Sequence, residues 1–309
     1  MSRQRHGGDR YRHTIRYDFS VNTNPLGMPD YVKRVLREKI HTGAELWEWY
    51  PDPSCDRLRQ ALASWHGVSR EQIICGNGAS ELICAVARML AQEKAARRVT
   101  CLLPVPSFSE YERAMLAVGA EIRYHTESAA TGFALTETIL DRLTDDVDVV
   151  FLCSPNNPVG NLLSECLLGR ILERCRQNGI TVVLDTCFGE LAVAGDPAAK
   201  QPPDPNPNLI VLKAFTKLYA IPGLRLGYCI ADGGTVRRLQ LPCWNVSGIA
   251  QLAGLTILDG GRNVDYIGQT RECIARERHF LLTGLEETGL TVLPGAANFL
   301  CFFAGAPLY

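Results

Sequence analysis

The stretch Leu209-Ile-Val-Leu-Lys-Ala-Phe-Thr-Lys-Leu-Tyr-Ala-Ile-Pro-Gly-Leu-Arg-Leu-Gly-Tyr228 decides how the rest of the chain is read. Leu209 to Leu212 form an apolar run of strand length, and Thr216 and Lys217 lie in a polar turn. Pro222 and Gly223 then break the chain, and a second strand begins near Leu226. A lysine between two apolar runs is poorly solvated, which penalises its ammonium form and lowers its pKa. An amine in that state attacks a carbonyl and forms a Schiff base. A lone lysine in such a place is more often an ordinary surface loop residue, so the surroundings of Lys217 carry the argument.

Outward from this stretch, strands alternate with helices. Candidate strands are Ile73 to Cys75, Val99 to Leu103, Val149 to Cys153, Thr181 to Leu184, Leu209 to Leu212 and Leu226 to Ile230. Near-continuous apolar strands separated by helices predict an α/β protein with a mainly parallel sheet between helices. Ligands of such sheets gather beyond the carboxyl ends of the strands. Leu58, Ala61, Leu62 and Trp65 recur at helical spacing and predict a packing helix. After Ile230 the rhythm changes. Thr270 to Glu287 reads as one long helix with Ile274, Leu281, Leu282 and Leu285 on its buried side, and Leu290 to Leu293 and Phe299 to Phe303 read as strands. The expected organisation is an N-terminal arm and part of a small domain over 1–45, a large domain over 46–243, and an incomplete smaller α+β domain over 244–309.

The polar signals cluster at strand ends. Gly76-Asn-Gly-Ala-Ser-Glu81 lies between a strand and a helix beginning near Ala79, where backbone N–H groups and the helix dipole suit a phosphate. A glycine turn serving only geometry explains it equally well. Phe108 follows the Val99 strand and has the shape to stack on a flat ring, though core packing is the plainer reading. Ser154-Pro-Asn-Asn-Pro-Val-Gly160 follows the next strand, with Asn157 placed to meet a hydroxyl. Asp185 ends a buried strand, where an unpaired carboxylate costs several kcal/mol or more. Arg225 poses the matching problem beside Lys217, and a phosphate answers it bidentately.

Of the 309 residues, 46% are hydrophobic and 21% charged, enough for a sizeable core. The formal net charge is −1, with no basic block beyond the first sixteen residues, which disfavours nucleic acid or an anionic membrane as partner. No apolar run reaches the roughly 18 residues of a membrane span. Twelve cysteines, scattered without metal-ligand spacing, read as small buried hydrophobes of a reducing compartment, and no metal is expected. The arginine-rich N-terminus lacks the apolar face of a presequence, so the expectation is a cytoplasmic protein.

A phosphate cradle, a flat-ring stacker, a hydroxyl partner, a carboxylate, a Schiff-base lysine and a phosphate arginine are together what pyridoxal 5'-phosphate asks for. In this order the residues from about His6 to Phe303 resemble the fold-type-I, aspartate-aminotransferase-like enzymes. The resemblance implies that Lys217 carries the cofactor as a Schiff base and that Asp185 keeps its ring nitrogen protonated. It places Asn157 on the phenolic oxygen and Phe108 on the ring. Gly78, Ala79, Ser80, Thr216 and Arg225 would hold the phosphate. Tyr50 would reach the phosphate of a neighbouring subunit, which implies a homodimer. His6, Asn24 and Asn157 would meet the substrate.

Within that superfamily the chain resembles the group of histidinol-phosphate aminotransferases and L-threonine-O-3-phosphate decarboxylases. His6-Gly7-Gly8, Asp18-Phe-Ser-Val-Asn-Thr-Asn-Pro-Leu-Gly-Met-Pro29, Phe215 to Tyr228 and Trp244-Asn-Val are similar to motifs of the decarboxylases. Phe188 stands where the aminotransferases carry a tyrosine. The resemblance therefore implies a carbon-carbon lyase acting on a phosphorylated amino acid in cobalamin biosynthesis, with amino transfer as the alternative. Ala214 replaces a phosphate-binding serine of many relatives, and Thr186-Cys187 replaces a usual Glu-Ala. No arginine follows Arg278, where the family supplies the arginines that grip substrate. The expectation is a C-terminally truncated chain, or one that holds substrate differently; a cofactor-binding protein with little catalysis is the reading of another class. A nicotinamide dehydrogenase is disfavoured, because no G-x-G-x-x-G lies at a strand-helix turn.

Overall fold

Alternate side chains of the strand Leu209–Ala214 enter different cores: Leu209 and Val211 join one apolar cluster, Ile210 and Leu212 the other. That is the period-two signature of a strand buried on both faces. The computed structural model describes residues 8, 14–43, 45–196 and 206–305, so His6 lies outside the described residues.

The chain runs α1 (Asp30–Thr42), α2 (Glu45–Glu48), α3 (Asp56–His66), β1 (Ile73–Gly76), α4 (Ala79–Glu93), β2 (Thr100–Val105), α5 (Ser109–Ala117) and β3 (Glu121–Thr126). It continues with β4 (Val149–Cys153), α6 (Glu165–Asn178), β5 (Thr181–Asp185), β6 (Leu209–Ala214), α7 (Phe215–Leu218), β7 (Gly227–Ile230) and α8 (Gly233–Arg238). Last come α9 (Gly248–Leu258), α10 (Arg262–Glu287), β8 (Thr291–Val292) and β9 (Phe302–Phe303). The large sheet has the order β1-β7-β6-β5-β4-β2-β3, and β8 pairs with β9 apart from it. All neighbours in the large sheet are parallel except β7, which is antiparallel to both β1 and β6.

This single reversal organises the site. Because β7 runs against its neighbours, its start lies at the same end of the sheet as the carboxyl ends of β1, β4, β5 and β6. Arg225 precedes its strand, whereas the other sequence candidates follow theirs, yet the reversal brings it to the same edge. In the register, Gly227 faces Gly76 on one side and Ala214 on the other.

α4 and α5 pack on one face of the sheet, burying Leu82, Val86, Leu90, Tyr111 and Met115. On the other face α3, α6 and α9 bury Leu58, Leu62, Leu168, Ile171, Ala250 and Ile257. Each large aliphatic side chain so placed contributes roughly 1.5–3 kcal/mol. α9, which follows the boundary expected at 243, shares this core with α3 and the sheet.

Several expectations change. The edge strand β3, Glu121-Ile-Arg-Tyr-His-Thr126, has half-exposed polar residues and no apolar run to announce it. The long helix begins at Arg262, eight residues before Thr270. Its expected buried side is realised only in part. Ile274 is buried, Leu282 and Leu285 are half-buried, and Leu281 is exposed beside Phe280. Nor are all the cysteines interior, since Cys166 and Cys243 are exposed. No helix among the described residues is long and apolar enough to cross a membrane.

Candidate active site

The turn after β1 begins the site. Gly78 has φ +77°, and a Cβ there would lie 2.4 Å from an Arg225 guanidinium nitrogen, so only glycine leaves that arginine in place. A Cβ on Gly227 would lie 2.8 Å from the Ala79 amide nitrogen, so the turn rests directly on the start of β7. The fifteen-residue helix α4 opens at Ala79, and its first amides lack intrahelical partners. Asn77 N–H donates to the Glu81 carboxylate at 2.7 Å, which Asn245 also holds at 2.6 Å.

Around this turn a cavity of about 210 Å³ is lined by Ala79, Ser80, Phe108, Asn157, Asp185, Thr216, Lys217 and Arg225, with Tyr111, Cys153, Cys187, Phe188 and Ala214 completing the wall. Eight of the positions singled out in the sequence thus converge on one space, and Gly78 abuts it through Arg225.

Asp185 is 5% exposed. Its carboxylate accepts from the Tyr111 hydroxyl at 2.7 Å and from the Cys187 amide at 2.9 Å, and no cation among the described residues pairs with it. Tyr111 is itself buried and stacks on Phe151. Burial, with Asp185 next, pushes the Tyr111 hydroxyl far above its ordinary range, so it stays a donor to the carboxylate. Thr186 turns inward, its hydroxyl on the Leu212 carbonyl at 3.2 Å, and so ties the strand end in place. That gives Thr186 a role at the strand end; nothing in the structure explains a cysteine at 187.

Lys217 closes the other side. Burial holds its ammonium pKa below the ordinary value; Cys187 opposes this, and the Arg225 charge adds a smaller lowering. Its Nζ lies 5.6 Å from the centre of the Phe188 ring, which stands edge-on to Phe299 at 5.2 Å. The side chains of Ser80, Asn157, Thr216 and Lys217 have no hydrogen-bond partner among the described residues, and Arg225 has only a 3.4 Å contact with the Asn77 carbonyl. The cavity therefore gathers unspent donors, two cations and a carboxylate that no cation pairs with among the described residues. This donor set fits a phosphorylated ring with a protonated nitrogen.

Two positions lie elsewhere. Tyr50 is 79% exposed and stacks on Trp244 at 4.5 Å, outside the cavity wall. Asn24, expected to meet substrate, is 3% exposed and fully engaged within the protein. Its amide donates to the Leu218 carbonyl and the Thr270 hydroxyl at 2.7 Å each, and its oxygen accepts from Leu26 N–H. That corrects the expectation: Asn24 fastens the N-terminal loop to α7 and α10. Tyr111 and Cys187 are the residues that sequence reasoning missed. Tyr111 stood at the end of the Phe108 segment with no separate signal of its own.

Residues 14–308 match the family model for aminotransferase class I and II. The chain belongs to that family. It is 40% identical over 291 residues to a threonine-phosphate decarboxylase of Salmonella typhimurium, a match covering 92% of this chain and 75% of the relative. A histidinol-phosphate aminotransferase of Geobacillus is 31% identical over 290 residues, covering 90% of this chain and 73% of the relative. The fold is that of aspartate aminotransferase: the enzyme from Thermus thermophilus superposes with a TM-score of 0.79 at 20% identity, covering 91% of this chain and 75% of that one. Pyridoxal phosphate is the cofactor of class I and II aminotransferases and of their decarboxylase relatives, and the cavity provides the groups it requires.

Proposed function

We propose that the chain decarboxylates a phosphorylated amino acid, L-threonine O-3-phosphate, to 1-aminopropan-2-yl phosphate, the step that cobalamin biosynthesis draws on. When bound, pyridoxal phosphate supplies an electron-withdrawing ring conjugated to the substrate's α-carbon. Lys217 would hold the cofactor through its Nζ, whose pKa burial keeps below the ordinary lysine value. Asp185 holds the ring nitrogen protonated, and Tyr111 and the Cys187 amide hold Asp185. Arg225, Thr216, Ser80 and the Ala79 amide, which line one cavity, would hold the phosphate, Phe108 would cover the ring and Asn157 would donate to the phenolic oxygen. The Lys217 Nζ would hold the proton that replaces carbon dioxide at the substrate's α-carbon.

The observation that carries decarboxylation over amino transfer is the Phe188 ring beneath Lys217. It offers no hydroxyl beside the lysine and the phenolic oxygen. The higher identity to the decarboxylase supports the same reading. A second copy of the chain covers the exposed aromatic face of Trp47, Trp49, Tyr50 and Trp244, with Tyr50 reaching the phosphate of its partner.

The test is incubation of the cofactor-loaded protein with L-threonine phosphate. Carbon dioxide and the amino-alcohol phosphate are expected in equal amounts. Pyridoxamine phosphate and a keto acid would transfer the assignment to an aminotransferase. Lys217→Ala should lose the borohydride-reducible adduct; an adduct retained at that peptide position would remove the lysine from its role.

A further inference from the structure

A second cavity, of about 260 Å³, lies against β1, and its wall includes Cys55, Arg59, Ile74, Cys75, Pro242 and Cys243. Cys243 is exposed, whereas Cys55 and Cys75 are buried. Cys55 immediately precedes α3 and Cys75 lies in β1, yet both side chains line this one cavity. Neither takes part in the site described above. Arg59 is held beside them, its Nε donating to the Ile73 carbonyl at 2.8 Å.

The two thiols differ. The neighbouring Cys75 holds Cys55 below the ordinary thiol pKa, against burial and the Asp52 charge, and the Arg59 charge adds a smaller lowering. The proximity of Cys55, with burial, pushes Cys75 well above that value. Cys55 is thus the more readily ionised of the two thiols, and thiolate character is what makes a cysteine susceptible to oxidation.

We propose that Cys55 and Cys75 form a modification site, a dithiol that a peroxide entering through this cavity converts to a disulfide. The Cys55 thiolate attacks one peroxide oxygen; the O–O bond breaks, Cys55 becomes a sulfenic acid and the first water leaves. Cys75 sulfur then attacks Cys55 sulfur, the S–O bond breaks and the second water leaves. The two thiols give up two electrons and two protons, and hydrogen peroxide is reduced to two waters. A thiol reductant reverses the change.

Closure acts on the neighbouring turn. A disulfide brings its sulfurs to about 2.05 Å, drawing the end of β1 toward Cys55, whose φ of +51° already lies in the left-handed region. Cys75 immediately precedes Gly76, and its carbonyl accepts from Asn245, which also holds Glu81. The Gly76-to-Ser80 turn therefore shifts when the bond forms. This consequence rests on the cofactor reading above, but the disulfide does not.

The full chain, reduced and then treated with hydrogen peroxide under native conditions, would be blocked with an alkylating agent, digested and mapped by mass. A Cys55–Cys75 linked peptide is expected, lost on dithiothreitol treatment and retained in Cys243→Ser. Cys55 and Cys75 both found alkylated while Cys166 and Cys243 are oxidised would overturn the proposal, as would a link that disappears in Cys243→Ser. Pyridoxal phosphate affinity of the linked chain should fall several-fold and recover on reduction. Unchanged affinity in a chain shown to be linked would remove the coupling to the turn.

Discussion

Replacing Gly227 by alanine tests the phosphate cradle without removing any group proposed to contact the cofactor. The added Cβ would lie 2.8 Å from both the Ala79 nitrogen and the Gly78 carbonyl carbon, where ordinary contact begins at 3.4 Å. Both obstructing atoms are backbone, so no rotamer change relieves the overlap, and the turn must retreat by roughly 0.6 Å. That displacement carries the Ala79 amide and the Ser80 hydroxyl away from the phosphate position. A hydrogen bond to a charged group is worth roughly 1.5–3 kcal/mol, so losing one weakens binding about ten- to a hundredfold. The assay is titration of the cofactor-free variant with pyridoxal phosphate, followed by visible absorption, with far-UV circular dichroism to show that the fold persists. Gly268→Ala, whose added methyl meets nothing within 4 Å in α10, serves as the control and should bind like the parent. A folded Gly227→Ala chain binding within about twofold of the parent would refute the reasoning that the turn is seated on β7 to hold phosphate.

Asp185→Asn keeps the shape of the strand end but removes the charge opposite the ring nitrogen, and should lower kcat on the order of a hundredfold or more while Lys217 still forms its adduct; near-parental turnover would exclude Asp185 from that role. Phe188→Tyr places a hydroxyl in a buried position near Lys217 and should lower the pH at which the bound cofactor changes colour. An unshifted titration would show that the missing hydroxyl is not what distinguishes this site. His66 tests the buried layer beneath the sheet: burial, and then the Lys213 charge, lowers its pKa from 6.5 to about 4, and it hydrogen-bonds the Tyr228 hydroxyl at 2.8 Å. Because the folded value lies below the unfolded one, the unfolded chain takes up the proton first; stability falls as pH drops below 6.5, and the loss is complete below about 4. Between pH 7.5 and pH 5 this group should cost about 2 kcal/mol. Urea unfolding of His66→Gln should show that much less sensitivity to pH, and equal sensitivity in the two chains would contradict the neutral, buried state of His66.

The strands were legible because their apolar runs are continuous, and Asp185, Lys217 and the Gly76-to-Ser80 turn were legible because polar residues abut those runs. β3 was not, since an edge strand needs only one covered side and its sequence alternates polar residues with few apolar ones. Tyr111 was not, because a tyrosine in a helix is ordinarily packing, and only the approach of β5 to α5 turns its hydroxyl into the partner of Asp185. Asn24 looked available in a loop rich in asparagine and proline, but α7 and α10 converge on it and consume all its hydrogen-bonding groups.

What the sequence by itself determined is local: which segments are buried on both faces, where turns must fall, and which side chains stand at strand ends with charges that need partners. Those properties depend on solvation and backbone preference over a few residues, and both are written in residue order. What only the tertiary structure decided is direction and company. The antiparallel placement of β7 carries Arg225 from the start of its strand to the edge reached by the ends of the others. Gly227, unremarkable as the first residue of a strand, becomes the seat of the Gly78-Ala79 turn. Cys55 and Cys75, two small apolar residues in sequence, become a thiol pair because α3 begins beside β1. Contacts between distant segments depend on strand order and register, which no local preference encodes.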